Sequence, residues 1–169
     1  LFRSTDYFPV EEEPEEVAEK KAAGAAKAIG IAGAVPRMGT TTQAIQLVKY
    51  LMYKGYKACY IQMNNHGYVE ELMDAYEGVE EEKLIGKAVY QEVDMYYKLE
   101  KLPEVLKRDY DYFVYDYGVF SDRDFNKISF LEKDLQMFTV GTKPGEFMKT
   151  YQLIENNFYN SVLYIFNSV

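Results

Sequence analysis

Apolar positions in this chain come in short continuous runs, separated by stretches with helical spacing. "AIGIAGA" at 28–34 has the length and apolar character of a strand, and "TTTQAIQLVKYLMYKG" after it puts Ala44, Leu47, Val48 and Leu51 on one helical face before Gly55, a good helix end. "KACYIQM" at 57–63 predicts a second strand, "NNHG" carries turn chemistry, and "YVEELMDAYEG" is helical in pattern. "KAVYQEVDMYYK" is ambiguous between an extra strand and a loop. "LEKLPEVLKRD" predicts a helix with Pro103 near its first turn, and the Tyr, Phe and Val content of "YDYFVYDYG" predicts a strand over 110–117. "SDRDFNKISFLEKD" opens with a candidate N-cap at Ser121 or Asp122. A strand "LQMFTVG" at 135–141, a helix from "KPGEF" and a last strand "SVLYIFN" at 161–167 complete the series.

Five strands separated by helices imply right-handed crossovers, hence a mostly parallel sheet covered on both faces, a three-layer α/β/α domain. In such sheets ligands sit at the carboxyl ends of the strands. Residues 33–42, 62–66, 116–119 and 141–145 all fall there.

The first 27 residues break this pattern. They hold "EEEPEE" from Glu11 to Glu16 and the alanine-rich "AEKKAAGAAKA", with no apolar face to pack. They read as an acidic and alanine-rich linker or tail, leaving 28–169 as the domain. The start at Leu1 and the end at "YIFNSV" read as an excised piece of a longer protein, with the domain truncated on its C-terminal side. The 169 residues, 48% of them hydrophobic, suffice for a single core. With 27 acidic against 19 basic residues the net charge is −8, a field that opposes nucleic acid and anionic lipid, so neither is indicated as a partner. No apolar stretch reaches the roughly 18 residues of a membrane span, and the cytoplasm is the compartment expected. The single cysteine, Cys59, lies in an apolar run and reads as a core residue.

The stretch of most chemical interest is "GAVPRMGTTT". A phosphate-binding loop works because glycines let successive backbone N–H groups point at one anion, while the following helix adds its positive end. A lysine then reaches the phosphates and a Ser/Thr hydroxyl ligates magnesium. Set against G-x-x-x-x-G-K-S/T, the chain offers Gly33, Ala34, Val35, Pro36, Arg37, then Met38 at the second glycine, Gly39 at the lysine and Thr40 at the hydroxyl position. Losing the lysine removes a charge-assisted contact of roughly 1.5–3 kcal/mol. Pro36 also deletes a backbone donor. Arg37 is the nearby side chain that could restore positive charge, in a planar fork suited to phosphate.

"IGIAGAVPRMGTTTQAIQLVKYLMYKGYKACYIQMN" resembles the start of the ParA/MinD family of P-loop ATPases, and within it a degenerate branch that lacks the loop lysines. The resemblance extends from Ile29 to Asn167. It implies a P-loop-NTPase-like fold, with the strand of Asp116 beside the strand that ends at Gly33. It places the family's second, deviant lysine at Ala34 and its acidic pair at Gln62 and Asn64, all uncharged here. The phosphate-binding residues it implies are Gly33, Arg37, Gly39, Thr40 and Thr41. Thr40 and Asp116 would be magnesium ligands if nucleotide binds, with ATP or ADP as the cofactor. An ordinary turn residue before Gly118 is the competing reading of Asp116, and the fold resemblance favours the strand-end site. His66, the only histidine, reads as a turn residue in "NNHG" rather than an acid–base catalyst, because spacing names no partner for it. Bacterial tyrosine kinases share this family's fold, but the 17 tyrosines here are dispersed as packing would have them.

Two functional expectations follow from the resemblance. The first is a regulatory or localisation module that acts through protein partners or a homodimer. The second is a weak magnesium-dependent ATPase using Arg37 in place of the loop lysine. The missing lysine favours the first.

Overall fold

The computed structural model describes residues 24–157 and 162–167. Most of the linker expected over residues 1–27 lies outside the described residues, and Lys27 already opens the first strand. The strands are β1 (Lys27–Gly33), β2 (Ala58–Gln62), β3 (Glu80–Glu82), β4 (Lys87–Tyr90), β5 (Val93–Tyr96), β6 (Tyr112–Val119), β7 (Leu135–Gly141) and β8 (Leu163–Asn167). The helices are α1 (Thr40–Tyr53), α2 (Tyr68–Ala75), α3 (Leu102–Val105), α4 (Lys127–Leu131) and α5 (Pro144–Asn157).

All eight strands form one sheet in the order β3-β4-β5-β2-β6-β1-β7-β8. Pairing is parallel from β5 through β8 and antiparallel only in β3-β4 and β4-β5. β1 lies between β6 and β7, as expected for a central strand flanked by the strand of Asp116. This is the mostly parallel P-loop-NTPase-like α/β architecture that the sequence predicts.

Period-two alternation assigns each strand residue to one of two cores. On one face Ile29, Ile31, Ala58, Tyr60 and Val114 meet Ala44, Val48 and Leu51 of α1 and Val69 and Leu72 of α2. On the other, Ala32, Cys59, Ile61, Phe113, Tyr115 and Tyr117 meet Val105 and Phe130. Burial pushes the Cys59 thiol pKa up, as its place in the core implies. Phe130 of α4 sits 5.3 Å from both Tyr117 and Phe138, and each such ring pair adds about 0.5–1.5 kcal/mol beyond area burial. Gly30 admits that ring, since a Cβ there would lie 3.0 Å from Phe130 Cδ2.

Several local expectations are corrected. The ambiguous segment at 87–98 is a hairpin, closed by Gln91 (φ 48°) and Glu92 (φ 67°), the two positive φ values of a type I′ turn. β3 is three exposed glutamates paired to β4. The helix expected at 99–109 is only a 3₁₀ turn, Leu99–Lys101, followed by the single-turn α3. Its end tightens through Arg108 N to Val105 O at 3.0 Å. α4 is capped by Asn126, whose side chain accepts from Ser129 N at 2.9 Å, rather than by Ser121 or Asp122. Phe120 and Phe125, with ring centroids 4.9 Å apart, hold the intervening residues in a turn and delay the helix. Among the described residues, no helix is long and apolar enough to cross a membrane.

Candidate functional site

β1 feeds a loop, residues 34–39, that opens directly into α1. Ala34 N donates to Thr139 O of β7 at 3.0 Å, anchoring the loop's start. Two residues take the left-handed conformation, Arg37 at φ 64° and Gly39 at φ 72°. Gly39 is the N-cap of α1 and no side chain caps that end, so the first-turn N–H groups are left for an outside acceptor. Gly33 must be glycine for a steric reason, because a Cβ there would lie 2.4 Å from Thr40 Oγ1. Asn167, ending β8, holds the loop's far side by donating from Nδ2 to Met38 O at 3.1 Å. The Met38 side chain is buried, and a Cβ built on Gly141 would meet its sulfur at 2.7 Å.

The two threonines that follow Gly39 do different things. Thr40 is buried and its hydroxyl is within 2.8 Å of Thr139 Oγ1. Thr41 Oγ1 donates to Asp116 Oδ2 at 2.6 Å. The hydroxyl in contact with Asp116 is therefore Thr41's, not that of Thr40. Gly39 takes its positive φ at the helix start, directly before Thr40 and Thr41.

Asp116 lies in the middle of β6, whereas the sequence predicts it at a strand end. It is fully buried, with Oδ2 also accepting from Tyr60 OH at 2.8 Å and Oδ1 accepting from Gly118 N at 2.9 Å. Burial, and then the neighbouring Asp116 carboxylate, push the Tyr60 phenol well above its ordinary range. The β1-β6 register shifts just beyond Asp116, from Ile31↔Asp116 to Gly33↔Val119, and Gly118 takes φ +71° at that irregularity.

The opposite wall comes from the end of β2 and the turn after it. Gln62 spends its side chain on α2, accepting from Val69 N at 3.0 Å and donating to Glu70 Oε2 at 2.9 Å. Asn64 donates to Asp116 O at 3.0 Å and accepts from His66 N at 3.0 Å. His66 Nε2 lies 2.9 Å from Asp122 Oδ2. The fold, not the spacing, supplies the partner that the sequence leaves unnamed for His66. Residues 36–42, His66, Gly118, Val119 and Asp122 together line a cavity of about 370 Å³. Gly39, Thr40, Thr41 and Arg37 are thus brought to one cleft; Gly33 supports it from beneath Thr40, and Asp116 is reached through Thr41.

No family model matches this chain, and no curated protein matches it in sequence. Solved structures do match it in fold. A plasmid partition protein from Borrelia burgdorferi bound to AMPPNP is 15% identical, with 85% of this chain and 75% of that chain aligned at a TM-score of 0.54. The MinC:MinD cell division protein complex from Aquifex aeolicus aligns at a TM-score of 0.62, with 14% identity over 83% of this chain and 68% of that chain. The kinase domain of the Escherichia coli tyrosine kinase ETK aligns at a TM-score of 0.60, with 15% identity over 90% of this chain and 71% of that chain. At these identities the likeness is one of fold, the P-loop-NTPase-like α/β fold of ParA and MinD proteins.

Proposed function

We propose that this domain is a degenerate P-loop module that holds the phosphates of a nucleotide weakly and serves a regulatory or localisation role through protein contacts. One observation carries the reading: a glycine-capped helix N-terminus faces the cleft, yet the residue after Gly39 is Thr40, whose hydroxyl is taken up by Thr139. Uncapped first-turn N–H groups attract an anion through their partial positive charge. Without a lysine at that position, the bound phosphates lose a charge-assisted contact of roughly 1.5–3 kcal/mol, or about ten- to a hundredfold in affinity.

Magnesium fits the residues present. Thr41 and Asp116 already bring a hydroxyl and a carboxylate together, both hard oxygen donors of the kind this ion takes. They would hold the ion, which when bound would neutralise charge on the phosphate oxygens. The AMPPNP in the Borrelia burgdorferi partition protein supports a nucleotide as the ligand class. The MinC:MinD complex supports a protein partner as the output.

Arg37 favours a second reading, a weak ATPase, because it is one of the residues lining the cleft and its guanidinium could neutralise a transferring phosphate. Titration of the full-length protein with ATP, with and without magnesium, tests both. The module reading expects affinity no better than high micromolar and no turnover. Steady turnover would replace it with the second.

A further inference from the structure

We propose that His66, held by Asp122, is a phosphate-contacting residue of this cleft, supplying from the β2 side positive charge that the loop does not carry at Thr40. The inference rests on reading the cleft as a phosphate site. Among the described residues lining it, only Arg37 and His66 can be cationic, and Asp122 is the only acid. Arg37 sits on the loop wall. His66 comes from the turn after β2, so the two reach the cleft from different elements.

The position of His66 is built rather than incidental. Its backbone N–H is fixed by Asn64 Oδ1 at 3.0 Å, and Asn64 is itself tied to the backbone of Asp116 at 3.0 Å. The imidazole lies against Gly118, where a Cβ would come within 2.9 Å of His66 Cε1. Glycine at 118 therefore serves both the backbone irregularity of β6 and the seat of this ring. Nε2 is engaged by Asp122 at 2.9 Å, while Nδ1 has no partner among the described residues. The side chains of His66 and Asp122 are 48% and 32% exposed, so a ligand in the cleft can reach them.

Protonation decides what Nδ1 can do. In the neutral ring Nε2 donates to Asp122 and Nδ1 presents a lone pair, which repels a phosphate oxygen. In the imidazolium both nitrogens donate, and Nδ1–H can meet a phosphate oxygen while Asp122 keeps Nε2–H. The pair is then neutral instead of singly negative. The other charged groups nearby are Arg37, which lines the same cleft, Asp116, bonded to Gly118 N, and Asp124, which accepts from the adjacent Asn65 at 2.6 Å.

Calorimetric titration of the full-length protein and its His66→Gln variant with magnesium-ATP, at about pH 6 and about pH 8, tests this across the range where histidine changes charge. Comparing the two proteins cancels the ligand's own titration. The wild type should lose about tenfold more affinity than His66→Gln as the pH rises, and its His66 ring resonances should shift on binding by NMR. Identical pH profiles for wild type and His66→Gln, with ATP bound by both, would overturn the role of His66 and leave the nucleotide reading intact. Absence of ATP binding by the wild type at both pH values would overturn both.

Discussion

The hydroxyl of Thr41 donates to Asp116 Oδ2 at 2.6 Å, tying the first turn of α1 to the middle of a strand 75 residues away in sequence. Tyr60 OH and Gly118 N are the carboxylate's other donors, so a fully buried charge has three partners drawn from β2, α1 and its own strand. Removing a donor leaves part of that charge unsatisfied, at a cost of about 1–3 kcal/mol. Thr41→Val and Tyr60→Phe should each lower stability by about that amount in urea denaturation, and the double variant should be non-additive because both donors serve one oxygen. Additive losses would show that Asp116 is not their shared partner.

Gly118 is constrained twice over. Its φ of +71° disfavours any side chain, and a Cβ would also crowd Asn64 Cβ and His66 Cε1 at 2.9 Å each. Gly118→Ala should cost about 1–3 kcal/mol and displace the His66 ring. Thermal unfolding reads the first effect, and perturbed His66 resonances read the second. Gly55→Ala is the control: it also has positive φ, 86°, but a Cβ there meets nothing within 4 Å, so it should carry the backbone cost without the steric one.

Alkaline pH should unfold this domain through its tyrosines. Burial pushes the phenols of Tyr60, Tyr110 and Tyr115 up, and those of Tyr97 and Tyr117 up to about 12. The unfolded chain releases these protons near pH 10, while the folded chain still holds them, so above that pH the unfolded state binds fewer protons. Stability is then fully present below about pH 10 and falls as the pH rises through about 12. Tyr117→Phe keeps the ring packing and removes one such proton, so its stability curve should fall less steeply over that range. A slope equal to that of the wild type would sink the assignment.

The sheet was legible because β1, β2, β6 and β7 are apolar runs of strand length bounded by turn chemistry, and a buried parallel strand needs little more. The hairpin β4-β5 was not, because Gln91 and Glu92 take positive φ without the Asn-Gly or Asp-Gly signature that usually announces it. The shortness of α3 escaped for a different reason: helical periodicity over 99–109 cannot show that the chain must turn after one α-turn to enter β6. In the site, glycines and threonines marked the loop. Which of the two hydroxyls, Thr40 or Thr41, meets Asp116 depends on backbone torsions and tertiary contact, neither of which sequence displays. Asp122 was visible only as a candidate cap, because its pairing with His66 needs the ends of two strands to meet.

Hydrolysis asks more of the cleft than binding does. Phosphoryl transfer needs positioned positive charge on the moving phosphate, and an organised site supplies it by lysine, arginine and metal together. Here the residue after Gly39 is a threonine with its hydroxyl at 2.8 Å from Thr139, and Ala34 and Val35 bring no charge to the start of the loop. Magnesium held by Thr41 and Asp116 could bind the phosphates without completing that set. The purified full-length protein should therefore show no magnesium-dependent ATP hydrolysis above background. Arg37 is the residue able to reverse this outcome. Were turnover measured, and lost in Arg37→Ala and Asp116→Ala, catalysis would run through the loop arginine and the weak-ATPase reading would replace the module. Asp116 is buried and Arg37 is exposed, which makes Arg37→Ala the more discriminating of the two variants: it should leave the fold untouched, so any loss of turnover there reports on the cleft rather than on folding.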